Sequence, residues 1–316
     1  MHKFQVVREE FEVKLMNNLT NEFVSVIPSL GGAVNRCLFN TGDELTEIID
    51  GYGSAEDASA NLSSSFKGSN LSPFPNRIAD GKYIFEKEEI QLTMNFPDEK
   101  NAIHGLVFDK KFSVLESEDG VSDCKLVLSY ENDDPIGYPF RYLMKITYKL
   151  NLTGAFSCRT EITNIGATAM PYGHGWHPYF KLGNRKIDEL KLQFSADRNF
   201  KVDKRNIPTG ETVPYNEFNN LTLVGNIRLD DCFLLETEKP FAETIITDGS
   251  GATGYRIWQE TGERKYNYLQ VYTPPHRTTI AIEPMTCAPD AFNNKVGLMV
   301  LNPGEKISFD WGIKKL

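Results

Sequence analysis

The sequence predicts an all-β fold, a large antiparallel β-sandwich carrying few short helices. Three observations lead there. Apolar residues recur at every second position through several long stretches, turn residues punctuate the chain at short intervals, and the three-and-four spacing of amphipathic helices is scarce.

In RYLMKITYKL, Tyr142, Met144, Ile146, Tyr148 and Leu150 fall on one face, while Arg141, Lys145, Thr147 and Lys149 fall on the other. FSCRTEITNI repeats the pattern with Phe156, Cys158 and Ile162 opposing Arg159 and Glu161, and the Asn-Leu-Thr-Gly between the two stretches reads as a hairpin turn. KISFDWGIK alternates Ile307, Phe309, Trp311 and Ile313 with Lys306, Ser308, Asp310 and Lys314. These are half-buried antiparallel strands, and sheets with one apolar face pack as sandwiches. Turns are expected at Pro28 to Gly32, Pro97 to Glu99, Pro208 to Gly210 and Pro303-Gly304. The serine-rich stretch from Gly51 to Asn70 reads as a loop, long enough to form a mobile flap over a site. With no linker-like stretch, no internal repeat and no shift of polarity between halves, residues 1–316 read as one domain.

Composition excludes several partners. The 34 Lys+Arg against 43 Asp+Glu leave a net charge of -9, which repels nucleic acid and anionic membrane surfaces in the absence of a basic patch. The start, MHKFQVVREEFEVKL, carries charges where a signal peptide needs apolar residues, and no later run reaches a membrane span. Five scattered cysteines, Cys37, Cys124, Cys158, Cys232 and Cys287, include no C-x-x-C pair, so a reducing cytoplasm is expected rather than a disulfide framework or zinc site.

Phosphate-binding loops, dinucleotide fingerprints and the esterase elbow are all missing, so no cofactor is expected. What remains is a set of polar residues in Gly/Pro-rich places that interrupt good strands. Asn76 and Arg77 follow two prolines in SPFPNRIADGKYIF; Arg77 is either a solvated surface cation or a ligand-gripping one. His104 directly precedes Gly105, as a turn residue or a functional one. His174 and His177 lie among aromatics in MPYGHGWHPYFKLG, where they serve either a packed cluster or proton transfer next to a sugar's apolar face. Their H-x-x-H spacing also matches two zinc ligands on a helix, but the glycines argue against that helix, and no metal is expected. Asp230 and Asp231 open a strand in NIRLDDCFLL. In TTIAIEPMTCAPDAFNN, Ile280 and Ile282 face a core, so Glu283 faces the other way, toward water or a ligand cleft. A base, candidate acids and fixed donors without a cofactor motif point to acid–base chemistry.

In this order, PNRIADGKY, AIHG, HPYF, the PTG of NIPTGETV, the Asp of LDDCF, YLQVYT and IEPMTCAPDAFN resemble the aldose 1-epimerase (galactose mutarotase) family from about residue 25 to the end. The resemblance implies a mutarotase-like supersandwich whose open groove binds a monosaccharide without metal or organic cofactor, as a monomer or homodimer. It maps the family's glutamate base onto Glu283, its histidines onto His104 and His177, and its sugar-binding residues onto Asn76, Arg77 and Asp230, with Asp231 the alternative. Departures lie at Leu106, at the His174-Gly175-Trp176 run and at Pro284-Met285, marking a divergent member. The implied activity is anomer interconversion of a hexose by ring opening and closure. The alternatives are a hexose-6-phosphate epimerase, which needs further cations such as Lys82 and Arg141 beside Arg77, and a non-catalytic carbohydrate-binding protein.

Overall fold

The computed structural model describes residues 3–42, 44–133 and 137–316. Among these, a thirteen-stranded and a nine-stranded antiparallel sheet dominate, as the alternating patterns predict. In the nine-stranded sheet Tyr142–Asn151 pairs with Phe156–Asn164, which pairs with Lys306–Lys315. Tyr142, Met144, Ile146, Tyr148 and Leu150 are all fully buried, and so are Phe309, Trp311 and Ile313. The opposite face is charged and paired across strands: Arg159 reaches Asp310 at 2.8 Å, and Lys306 pairs with Glu161. Such partly exposed pairs specify register more than they stabilise, at roughly 0.2–1 kcal/mol each. Apolar burial carries the stability, at about 1.5–3 kcal/mol per large side chain. One continuous core, running from Phe4 to Ile313, joins the inner faces of both sheets.

Two expected turns resolve differently. Pro97–Glu99 is a single 3-10 turn, while Pro208 begins the strand Pro208–Pro214, the chain having already reversed at residues 204–206. A proline at a strand's first position removes no needed ladder donor, so it marks a start as readily as a turn.

The Gly51–Asn70 stretch is not a loop. Ala55–Ser65 is an α-helix. Ser54 caps it by accepting from the Asp57 N–H at 3.2 Å, and the Asp57 carboxylate accepts in return from the Gly53 N–H at 2.9 Å. This reciprocal cap outweighs the poor helix propensity of its serines. Phe66 ends the helix in the left-handed conformation (φ 49). Only Ala58 of the helix is buried.

The larger sheet positions the site. Its strands Ile280–Met285, Tyr268–Tyr272 and Asp230–Leu235 run side by side, while Gly175–His177 pairs with both Ile280–Met285 and Ser69–Leu71.

Candidate active site

Every residue of Ile280–Met285 is buried, so the alternation noted in the sequence separates two enclosed faces rather than core from water. Ile280 and Ile282 join the core; Glu283, 2% exposed, lines a pocket of about 250 Å³. The same pocket is lined by Asn76, Arg77, His104, His177 and Asp230, which with Glu283 are brought together from five separate stretches of chain.

His177 is delivered by the short Gly175–His177 strand. Gly175 is required there, because a Cβ would meet that of Pro75 at 2.9 Å and the Pro284 carbonyl at 3.1 Å. His177 Nε2 lies 3.3 Å from Glu283 Oε1, and its ring stacks on Tyr179 at 4.9 Å between centroids. His104 meets His177 edge-on at 5.0 Å and packs against Phe66 at 4.7 Å. It adopts a left-handed backbone (φ 62), its N–H donating to the Asn76 carbonyl at 2.8 Å, and Asn76 is left-handed as well (φ 54). Non-glycine residues pay for that conformation, and such strain gathers at functional sites.

A polar chain forms one wall. Arg77 Nε donates to Glu99 at 3.0 Å and Nη1 to Asn76 Oδ1 at 3.1 Å. Asn76 Nδ2 donates to Gln270 Oε1 at 3.2 Å, and Gln270 Nε2 donates to Asp230 Oδ1 at 2.9 Å. Asn206 Nδ2 approaches the other Asp230 oxygen at 3.4 Å. Asp231 instead accepts from Asn199 at 3.1 Å and does not line the pocket, so the strand presents Asp230 of the two.

Burial governs the titration of these groups. It pushes the Glu283 carboxyl well above its usual range, nearby Asp230 adding to the effect and Arg77 opposing it. Burial lowers His177 to about 4 and holds His104 well below the ordinary histidine value. Asp230 is raised, first by desolvation, with Arg77 opposing. The pocket residues also carry buried polar atoms without a protein partner: Nδ1 of His104, Nδ1 of His177 and Oε2 of Glu283. These three atoms belong to residues that line one pocket, where their hydrogen-bonding capacity is open to a polar group.

A profile of the family described as Aldose 1-epimerase matches residues 14–314. The chain belongs to the aldose 1-epimerase family. Among relatives of this epimerase-family chain, the uncharacterized protein YihR of Escherichia coli (strain K12) is 30% identical over 244 residues, 75% of each chain. Maltose epimerase of Levilactobacillus brevis is 25% identical over 218 residues, 62% of this chain and 61% of that one. A galactose mutarotase-like protein from Clostridium acetobutylicum superposes with a TM-score of 0.84 at 21% identity, covering 100% of this chain and 99% of the other. Galactose 1-epimerase from Lactobacillus acidophilus NCFM gives 0.81 at 19% identity, covering 99% and 98%. At these identities the two structures show the epimerase fold.

Other residues lining the epimerase pocket escaped sequence reasoning: Gln270 and Tyr272, Tyr179, Asn206, Glu99, and Ser64 to Phe66 at the end of the helix. Alternation within YLQVYT puts Gln270 and Tyr272 on the face opposite Leu269 and Val271, a signal available in the sequence. The helix residues had none, since their stretch reads as loop. His174 is excluded from the pocket. Its ring nitrogens contact the Tyr266 hydroxyl at 2.8 Å and Asn70 Oδ1 at 3.0 Å, making it a satisfied core histidine. Lys82 pairs with Glu89 and Arg141 with Glu131, so neither joins Arg77. Among the described residues no helix is long and apolar enough to cross a membrane.

Proposed function

We propose that this protein interconverts the α and β anomers of a free hexose, with Glu283 as base, His177 as acid, His104 assisting at the ring oxygen, and Asn76, Arg77 and Asp230 holding distal hydroxyls. The supporting observation is the Glu283–His177 contact of 3.3 Å inside a pocket rich in unpartnered polar atoms. The cavity lies below the roughly 300–1,000 Å³ of sites for drug-sized ligands, a scale suited to one sugar ring.

The chemistry follows from the pair. Burial favours a neutral carboxyl and a neutral imidazole in the resting pair. Moving the carboxyl proton across the 3.3 Å contact onto His177 gives the reactive form, in which Glu283 is a desolvated carboxylate that takes up a proton readily and His177 a desolvated imidazolium that gives one up readily. Glu283 accepts the proton of the C1 hydroxyl as His177 protonates the ring oxygen, so the C1–O5 bond breaks and the aldehyde forms. Rotation about C1–C2 presents the other carbonyl face. Return of both protons closes the ring as the opposite anomer and restores the pair.

The lining favours a neutral sugar over a hexose phosphate. Arg77 shares the pocket with the carboxyl groups of Glu99, Asp230 and Glu283, and its guanidinium is already paired with Glu99. All residues given roles here come from one chain, which supports a monomer, and the joint core from Phe4 to Ile313 supports a single domain. Five free, buried cysteines suit a reducing cytoplasm. Polarimetry on freshly dissolved α-glucose, α-galactose and a hexose 6-phosphate, with buffer rates subtracted, tests the reading. Acceleration with a free hexose supports it; sugar binding without acceleration identifies a binding protein instead.

A further inference from the structure

Beyond Glu283 the chain continues through a proline, a cysteine, an aspartate and two asparagines that take no part in proton transfer. Asp290, nearly buried, does not line the pocket, yet it reaches the strand that carries Arg77. It adopts the left-handed conformation (φ 60) just before the short helix Ala291–Asn294. From there its N–H donates to the Arg77 carbonyl at 2.7 Å, and its Oδ1 accepts from the Ala79 N–H at 3.0 Å.

The strand Arg77–Ala79 is three residues long and pairs with Asn101–Ile103 along one edge. Asp290 bonds the main chain on both sides of Ile78 with one donor and one acceptor, the complement a further strand would offer. The carboxylate is itself restrained. Asn293 Nδ2 donates to the same Oδ1 at 2.7 Å and to the Lys82 carbonyl at 2.9 Å. Ile78 is buried in the core, which leaves Arg77 and Ala79 on the opposite face. The guanidinium's bonds to Glu99 and Asn76 therefore depend on a main chain held on one side by Asp290.

We propose that Asp290 is a positioning residue for Arg77, so that sugar affinity depends on a carboxylate outside the pocket. This rests on the reading of Arg77 as a sugar-holding residue. Three variants test it. Asp290→Gly keeps the left-handed backbone and its N–H while deleting the carboxylate, Asp290→Asn keeps an oxygen acceptor, and Arg77→Met deletes the guanidinium.

For Asp290→Gly, KM for the hexose is expected to rise about tenfold with kcat within about twofold, and Asp290→Asn to restore most of the loss. In the double variant Asp290→Gly/Arg77→Met, KM should be no higher than in Arg77→Met alone, because residues acting through one interaction are not additive. NMR supplies a readout independent of turnover: Asp290→Gly should shift the Arg77 Nε–H signal and hasten amide exchange at Ala79, with Asn restoring both. Unchanged Arg77 and Ala79 signals in Asp290→Gly, or KM effects that multiply in full, would overturn the proposal. If the parent protein does not accelerate anomerisation, the proposed function fails while the NMR comparison still decides whether Asp290 positions Arg77.

Discussion

The Glu283 carboxylate and the His177 imidazole face each other across 3.3 Å, 2% and 6% of their side-chain surfaces remaining open to solvent. In the proposed mechanism a base and an acid so placed act on two oxygens of one small ring without either reaching across bulk water. Replacing Glu283 by Gln preserves shape but removes the proton acceptor. The expected outcome is a fall in kcat of about 10²–10⁴-fold, with an unchanged circular dichroism spectrum. Anomer exchange followed by saturation-transfer NMR checks it, and a native rate in the variant rules out Glu283 as the base.

Gln270 bridges Asn76 and Asp230, so its loss acts on both sides of the pocket wall at once. Leaving buried polar groups without partners costs about 1–3 kcal/mol each. Gln270→Ala should accordingly weaken hexose binding at least fivefold, a factor corresponding to about 1 kcal/mol. Calorimetric titration into a Glu283→Gln background measures this without turnover. Undiminished affinity means the bridge does not shape the bound state.

Stability should fall in acid because of a histidine remote from the chemistry. His174 is fully buried and neutral, its affinity for a proton lowered by burial to about 3. Between about pH 6.5 and 3 the unfolded chain binds a proton there that the folded chain refuses, so unfolding becomes easier as pH drops through that window. The slope reaches about 1.4 kcal/mol per pH unit for one such group. Glu283 acts in the opposite sense, since its raised carboxyl binds its proton more tightly when folded and lends stability that fades as pH rises above its ordinary value. Urea denaturation from pH 7 down to 4 should show a shallower acid loss in a folded His174→Gln variant than in the parent; parallel curves exclude His174 as a source.

Gly105 has φ 75, and a Cβ built on it would lie 2.2 Å from the Ser72 carbonyl oxygen. Gly105→Ala must therefore displace main chain directly beside His104. A loss of at least about 1–3 kcal/mol is expected from the strained dihedral alone, seen as a lower midpoint in thermal unfolding. A midpoint matching the parent's means the turn has room that the geometry denies.

The sandwich was legible because its long strands keep strict alternation, as in Tyr142 through Leu150, and alternation follows directly from strand geometry. Alternation singled out Glu283 as facing away from the core, toward water or a cleft, while Asp230 came from the resemblance with Asp231 left open. The ordered motifs brought in Asn76, Arg77, His104 and His177, whose meeting depends on distant pairings that no local pattern encodes. The helix Ala55–Ser65 was missed because its serines and lone buried alanine give no apolar stripe, although Ser54 and Asp57 stand at capping-box spacing. Gln270 entered only within the YLQVYT motif; the structure places it in the same pocket as Glu283, its direct cross-strand partner, a pairing that no local pattern encodes.

The helix Ala55–Ser65 rests on a small apolar cluster of Ile27, Tyr52 and Ala58, separate from the main core, while its end brings Ser64, Ser65 and Phe66 to the pocket. Of these rim residues Phe66 packs against His104 and is tied to the His177 strand, whereas Ser64 and Ser65 sit on the helix end away from that contact. Under the proposed function, Ser64 and Ser65 are therefore the positions at which to redesign which sugar is admitted.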